Sequence, residues 1–134
     1  MREVLGVDRV LIYRFHPDFK AGDITAESVI QGRKRALGKT IEDPLTPEAL
    51  ERYRSGRVTC MEDREEAALT HCHCEILEQL EVRANMVAPL IAGEDLIGLI
   101  CVHHCSEPRH WTPEEIDLIQ QISVQIGYAL SQGR

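Results

Sequence analysis

No apolar run in this 134-residue chain approaches the ~20 residues that a membrane-spanning helix needs. The first six residues also lack the long apolar stretch of a signal peptide. These two absences argue against an integral membrane protein and against a secreted one. We therefore expect a cytoplasmic location and no membrane contact by this chain.

An excess of basic residues is also missing. The chain has 15 Lys and Arg against 22 Asp and Glu, which gives a net charge of −7 with neutral histidines. Binding to a phosphate backbone needs concentrated positive charge, and the only basic cluster, Arg33-Lys34-Arg35, is short. We expect no nucleic-acid partner.

The sequence has no repeat, no low-complexity stretch and no linker that would divide it, so we expect one domain over residues 1–134. A domain of this size buries about two-thirds of its unfolded surface, so its core needs no disulfide or metal. Residues 1–5 resemble the last turn of a helix closed by Gly6, and we expect a fragment of a longer protein.

The apolar pattern predicts two pairs of strands separated by a crossing that contains helices. Residues 7–15 and 23–30 alternate in polarity, and residues 85–92 and 96–104 form a second apolar pair. The sequence further predicts a helix over 46–56, a short strand over 58–60, a helical turn over 63–69, a helix over 74–80 and a long helix over 113–131. This order indicates an α+β sandwich with helices packed on an antiparallel sheet.

Two of the predicted helices have explicit start signals. Thr46 precedes Pro47, which suits the first helical position, and Gly56 would stop that helix. Residues 112–115 read Thr-Pro-Glu-Glu, a capping box that begins the last helix.

Reactive side chains concentrate in residues 70–75 and 101–105, and the five cysteines fit no compact disulfide framework. Four interpretations are open: a metal site, a nucleophile, buried core residues, or a cofactor bound to a thiol. The spacing is poor for zinc or an iron–sulfur cluster, and Cys72 with the adjacent His73 is a poor nucleophile–base pair. We favour the core interpretation for Cys60, Cys74 and Cys101, since cysteine is often buried.

Three segments, taken together, form a motif pattern that is specific for one protein family. They are Leu5-Gly6-Val7-Asp8-Arg9-Val10-Leu11-Ile12-Tyr13-Arg14-Phe15, then Cys72-His73-x-Glu75-x-Leu77-Glu78-Gln79 with Val82-Arg83-Ala84-Asn85-Met86-Val87, and finally Leu96-Ile97-Gly98-Leu99-Ile100-x-x-His103-x-Cys105-Ser106-x-Pro108-Arg109-x-Trp111. Together they resemble the bilin-binding GAF domains of cyanobacteriochromes, a branch of the phytochrome superfamily. The resemblance implies an α+β GAF fold with a central antiparallel sheet of five to six strands sandwiched by helices.

The same resemblance implies that Cys72 forms a thioether to a linear tetrapyrrole, phycocyanobilin or a related bilin. His73 would lie against the pyrrole rings, and His103 would contact the far ring or its carbonyl. A carboxylate near the pyrrole nitrogens would stabilise their protonated form, and Asp43 is our candidate. A bilin also has two propionates, for which we favour Arg33 or Arg35 over Lys34 and Arg83.

Other side chains leave alternatives open. Tyr53 or Tyr13 could hydrogen-bond a ring carbonyl, or each could pack with its hydroxyl at the surface. Trp111 should pack under the last helix. Ile97 stands where related domains often carry an aromatic residue that tunes the photoproduct.

The stretch from Asp43 to Thr46 departs from one cyanobacteriochrome subgroup, which has Asp-x-Cys-Phe there. Leu45 stands in place of the second cysteine and Thr46 in place of the phenylalanine. We therefore expect one covalent link and absorption in the orange-to-red region. Cys74 could compete for attachment, although two residues along a helix rarely reach the same carbon.

These expectations combine into a photosensory domain that isomerises its bilin reversibly and signals through terminal helices. The expected partners are an output domain such as a kinase, a cyclase or a chemotaxis transducer, and a second copy in a homodimer. No enzyme activity is expected beyond autocatalytic bilin attachment. The alternatives are a redox or metal sensor that uses zinc or an iron–sulfur cluster, and a ligand-free dimerisation module.

Overall fold

A computed structural model describes residues 2–42, 45–67, 69 and 71–132. Its elements, in chain order, are α1 (Arg2–Leu5), β1 (Arg9–Phe15), β2 (Gly22–Val29), β3 (Thr40–Ile41), α2 (Pro47–Arg54), β4 (Thr59–Met61), a 3₁₀ turn (Arg64–Glu66), α3 (His71–Gln79), β5 (Ala84–Ala92), β6 (Asp95–His104) and α4 (Pro113–Gln132).

The six strands form one sheet in the order β3-β2-β1-β6-β5-β4. Every neighbouring pair is antiparallel, so the sheet joins the two predicted hairpins through the β1–β6 pairing. In the register of the three central strands, His103 of β6 lies beside Arg9 of β1 and beside Asn85 of β5. This register brings the beginning of β1 and the end of β6 together.

One face of the sheet is covered by α1 and α4. Buried side chains from β1, β5 and β6 form an apolar cluster there with Ile119 of α4 and with Trp111. The predicted capping box is confirmed, because Thr112 Oγ1 accepts from the Glu115 backbone N–H at 3.2 Å and Glu115 Oε1 accepts from the Thr112 N–H at 3.0 Å. The opposite face of the sheet carries the cavity described below.

The predicted elements are present, several with slightly different bounds, and one further strand is found. The strand β3 was not predicted, because a two-residue strand carries too little periodicity to recognise. The helix expected over 74–80 begins earlier, at His71. Its first turn was not predicted because that turn is polar and shows no apolar period. The helix predicted to begin after the Thr46 cap and to stop at Gly56 is confirmed, since α2 ends at Arg54 with Ser55 as its C-cap.

The Thr46 cap is confirmed: its hydroxyl accepts from the Ala49 backbone N–H at 3.1 Å, and Pro47 follows at the first helical position. Gly6 and Gly56 both have positive φ where the sequence predicts helix ends. Among the described residues, no helix combines the length and the apolar character that crossing a bilayer requires.

Candidate ligand cavity

A cavity of about 660 Å³ lies between the second face of the sheet and the segments that carry α2 and α3. A volume of this size is within the range of sites that bind small organic ligands. About half of its lining residues are aliphatic and come from the sheet and both helices, including Leu11, Ile24, Ala49, Met61, Ile76, Leu77, Leu80, Val87 and Leu99. The polar part of the lining includes the carboxylates of Glu62, Asp63 and Glu66. The cavity therefore suits a large ligand with extended apolar faces.

Of the predicted site residues, Leu45, Tyr53, His73 and His103 line this cavity. Tyr13, the alternative tyrosine, lines it too. Asp43 lies outside the described residues.

Cys72 occupies the first turn of α3, and its thiol is exposed. Its Sγ lies 3.7 Å from the carbonyl oxygen of Glu42, to which the thiol can donate. The next residue, His73, lines the cavity, and so does Ile76, which is one turn below Cys72 on the same side of the helix. Cys72 itself is not among the residues that line the cavity, but it adjoins His73 and lies one turn from Ile76, which both line it.

Cys74 belongs to another side of α3. Its thiol lies 3.6 Å from Glu78 Oε1, one turn further along the helix. Burial, together with the Glu78 carboxylate, raises the pKa of Cys74. This thiol is turned toward Glu78, and it is not among the described cavity-lining groups.

His103 is the most deeply buried polar group in the cavity wall, with only 4% of its surface exposed. Its Nδ1 lies 3.2 Å from Nη1 of Arg9. Burial, and secondarily the positive charge of Arg9, lower the pKa of His103 from 6.5 to about 3. The imidazole is therefore neutral throughout the physiological pH range.

The two tyrosines have defined partners. The Tyr53 hydroxyl lies 2.9 Å from Thr59 Oγ1 on β4, and burial raises the pKa of that phenol. The surface alternative for Tyr53 is thus wrong, since the residue is buried. The Tyr13 hydroxyl donates to the carbonyl oxygen of Ile41 at 3.4 Å.

The structure does not bring Arg33 or Arg35 to the cavity wall. Both lie in the loop that follows β2, where Arg33 approaches Glu81 at 3.7 Å and Arg35 is exposed. Glu27 accepts from the backbone N–H groups of Ala36 and Leu37 and thereby holds this loop beside β2. The expectation that these two arginines face the ligand is corrected accordingly.

Arg52 of α2 was not predicted as a site residue, yet it lines the cavity. It follows Ala49 by three residues and precedes Tyr53, and all three lie in the cavity wall. The spacing of these positions along a helix is the pattern that could have identified Arg52 from the sequence.

The core interpretation of the cysteines is right in part. Cys60 is exposed, which contradicts it, because β4 is the edge strand of the sheet. Cys101 packs among apolar side chains of the cavity wall, and burial raises its pKa to about 12. Within the described residues there is no group of three or more His, Cys, Asp or Glu side chains that could hold a metal ion.

Two further expectations concern the opposite face. Trp111 is buried in the α4 cluster, as predicted, and its Nε1–H donates to the Met61 carbonyl oxygen at 3.2 Å. Ile97 also packs against the α4 cluster. Its side chain therefore lies on the face of the sheet away from the cavity.

Comparison with known families identifies the fold. The GAF domain family model matches residues 1–130, and the chain belongs to this family. Within the family it closely matches the GAF domains of cyanobacteriochromes, which confirms the resemblance drawn from its motifs and the predicted α+β sheet architecture.

Three relatives define the match. A putative methyl-accepting chemotaxis protein of Synechocystis sp. is 45% identical over 98% of this chain, which spans only 13% of that relative. The GAF domain of Thermosynechococcus elongatus PixJ, solved in its blue-light-absorbing form, is 40% identical with a TM-score of 0.91, covering 98% of this chain and 78% of that one. The phycocyanobilin-bound GAF domain of a cyanobacterial phytochrome is 31% identical with a TM-score of 0.84, at the same two coverages of 98% and 78%.

The buried neutral state of His103 predicts a specific pH dependence of stability. Because the folded-state pKa of about 3 lies below the ordinary 6.5, the unfolded chain binds an extra proton between these values. The contribution of His103 is complete above pH 6.5 and is lost as the pH falls toward 3. It changes by at most ~1.4 kcal/mol per pH unit.

Urea unfolding at several pH values compares the wild type with His103→Gln, which keeps a carbonyl acceptor for Arg9. The variant should lose less stability on acidification than the wild type. Leu37→Ala, at an exposed position without a titratable side chain, is the control and should follow the wild-type slope. Parallel slopes for wild type and His103→Gln would contradict the assignment of a neutral buried imidazole.

Proposed function

We propose that this GAF domain is a photosensor whose cavity holds a linear tetrapyrrole linked to Cys72, and that it photoconverts reversibly. The observation that carries the proposal is the large cavity lined by His73 of α3, together with the exposed thiol of Cys72, the residue that precedes His73 on that helix. The bilin supplies visible absorption and a double bond that isomerises in light. Phycocyanobilin is our first choice because a similar phytochrome domain is described as phycocyanobilin-bound.

The polar groups of the cavity match the chemistry of a bilin. Aliphatic side chains from the sheet and α3 would cover the faces of its rings. The neutral imidazole of His103 would hydrogen-bond the far ring or its carbonyl, and His73 would lie against the pyrroles. Tyr53 offers a hydroxyl from the α2 side, where it already contacts Thr59.

Covalent attachment needs one thiol and no added oxidant or reductant. The Cys72 sulfur would add to an exocyclic carbon–carbon double bond of the bilin, forming a C–S bond, while the thiol proton ends on the neighbouring carbon. Its exposed position leaves the sulfur accessible to an entering ligand. Asp43 remains our candidate for the carboxylate near the ring nitrogens.

Arg52 replaces Arg33 and Arg35 as the proposed partner of a propionate. It lies in the cavity wall beside Tyr53, whereas the other two arginines lie in the loop after β2. A guanidinium can pair with a carboxylate through two parallel hydrogen bonds.

The proposed colour follows from residue 45. Leu45 contributes an apolar side chain to the cavity wall, where a second cysteine would shorten the conjugated system. Cys60 and Cys101 also line the cavity, but burial raises the pKa of both and favours the thiol, which is a poor nucleophile. One link through Cys72 and absorption in the orange-to-red region are therefore proposed.

The output partner is also a proposal, since this chain spans a small part of its chemotaxis relative. A signalling domain of the chemotaxis class, a kinase or a cyclase would receive the signal through α4. Exposed apolar residues on the two terminal helices, Val4, Val124 and Tyr128, support contacts with a second copy. In this role the domain is a sensory module whose only chemistry is its own loading with bilin.

Replacing Cys72 with Ala should abolish covalent attachment. The wild type, Cys72→Ala and Cys74→Ala are co-expressed with phycocyanobilin synthesis and compared by zinc-enhanced fluorescence on denaturing gels. Wild type and Cys74→Ala should fluoresce, whereas Cys72→Ala should not. Equal loss in both variants, or a fluorescent Cys72→Ala, would refute Cys72 as the attachment site. A colourless wild type containing stoichiometric metal would support the metal-sensor alternative.

Replacing Arg52 with Gln should weaken bilin loading. Loss of a charge-assisted hydrogen bond costs ~1.5–3 kcal/mol, which corresponds to at least about a tenfold lower rate of attachment at limiting bilin. Attachment is followed by the growth of bilin absorbance after mixing with the purified protein. Arg54→Gln is the control, since Arg54 lies over the Phe19 ring and is not a described cavity residue. Equal rates for the two variants would remove Arg52 from the propionate role.

A further inference from the structure

We infer that Arg9 is a positioning residue for His103: it fixes the hydrogen on Nε2, so that the imidazole offers the cavity ligand an N–H donor. This inference rests on the proposed function for the identity of the ligand. The contact between Arg9 and His103 does not, because it lies within the chain itself.

The donors and acceptors of the two side chains decide which ring nitrogen of His103 carries the hydrogen. A guanidinium carries five N–H donors and no acceptor. Arg9 Nη1 lies 3.2 Å from His103 Nδ1, so Nδ1 must present its lone pair to Arg9. In a neutral imidazole the hydrogen is then on Nε2. Arg9 thus selects the tautomer.

Further contacts of the Arg9 guanidinium oppose its turning away from His103. Nη1 donates to the Leu80 carbonyl oxygen at 2.9 Å, and Nη2 donates to the carbonyl oxygen of Lys34. Its Nε makes no hydrogen bond, but it lies 3.2 Å from Glu27 Oε2 in an ion pair whose side chains are almost wholly buried. The guanidinium of Arg9 is therefore held in one orientation by the sheet, by the loop after β2 and by the end of α3.

The surroundings of His103 favour a neutral ring from each side. On the neighbouring strand β1 lies the Arg9 cation, whose charge is balanced by Glu27 on β2. On the other neighbouring strand, β5, lies Asn85, which is uncharged and buried. Two positions before His103 on β6 lies the Cys101 thiol. Protonation of Nδ1 would direct a hydrogen at the guanidinium, in agreement with the low pKa of His103.

This arrangement restricts the chemistry of the group that His103 recognises. With Nδ1 occupied by Arg9, Nε2 is the ring nitrogen left for a ligand, and it can donate but not accept. The matching group on a bilin is a carbonyl oxygen of a terminal ring. A pyrrole N–H is a donor and would not be recognised by Nε2.

The direct test is NMR of ¹⁵N-histidine-labelled protein loaded with bilin. We expect one His103 tautomer, with hydrogen on Nε2 and none on Nδ1, and no protonation between about pH 5 and 8. A hydrogen on Nδ1, or titration of His103 in this range, would overturn the inference. The wild-type measurement decides this point without any variant.

Variants then test whether Arg9 is responsible. Arg9→Met combined with Glu27→Gln removes both members of the ion pair, so that no buried charge is left alone. Its His103 should show mixed tautomers or at least a tenfold larger protonated fraction at a given acidic pH. Arg9→Lys keeps a buried cationic donor and should retain the wild-type tautomer. A folded double variant with wild-type tautomer and titration would refute a positioning role.

Arg109 provides the matched control. It also donates to two backbone carbonyls, those of Leu5 and Gly6, and pairs with a carboxylate, Glu115, but it lies beside Trp111 on the α4 side. Arg109→Met should leave His103 unchanged, and a shift of His103 as large as in the double variant would refute a specific role for Arg9.

The two proposals fail separately. If the chain takes up no bilin, the proposed function fails, and the same NMR measurement on the unloaded chain still decides whether Arg9 fixes His103. If the chain photoconverts but His103 carries its hydrogen on Nδ1, only the role of Arg9 is lost.

Discussion

The buried ion pair between Arg9 and Glu27 is the constraint on which the cavity end of this fold depends. Taking two charges out of water is costly, and removing one partner of such a pair typically costs ~3–5 kcal/mol. Here the cost is offset by hydrogen bonds to both partners: Arg9 donates to Leu80 and Lys34, and Glu27 accepts from Ala36 and Leu37. These hydrogen bonds form together only when β1, β2, the loop after β2 and the end of α3 have come together.

The same pair connects structure with function. The end of α3 that Arg9 holds belongs to the helix that begins with the Cys72 region, and the imidazole that Arg9 contacts lies in the cavity wall. One buried guanidinium thus connects α3 with the polar group deepest in the cavity wall. An apolar cluster fixes α4 on one face of the sheet, and the cavity lies on the other face.

Much of this fold is determined by residues that are close together in the chain, and this part could be predicted from the sequence. The alternation in β1 and β2, the capping box before α4 and the Thr46 cap each depend on residues close together in the chain. The family motifs added the cavity residues His73 and His103. The alternation in β1 also indicates that Arg9 is buried, because Arg9 shares a face of the strand with Leu11 and Tyr13.

What could not be predicted depends on contacts between distant segments. Arg9 and His103 are 94 positions apart, and Arg9 and Leu80 are 71 apart, so no local pattern shows their proximity. Arg33 and Arg35 are the propionate partners that the sequence predicts, because they lie in the irregular crossing. The fold places their loop away from the cavity, and Arg52 of α2 lines the cavity instead. Charge and spacing identify candidates, and only the packing of the crossing over the sheet selects among them.

The central claim is that the cavity carries a bilin that light isomerises, and a light-minus-dark difference spectrum tests it most directly. Protein purified from cells that make phycocyanobilin should absorb in the orange-to-red region in one state and convert reversibly under alternating illumination. Protein with no visible absorption, or with bound bilin and a spectrum unchanged by light, would contradict the account.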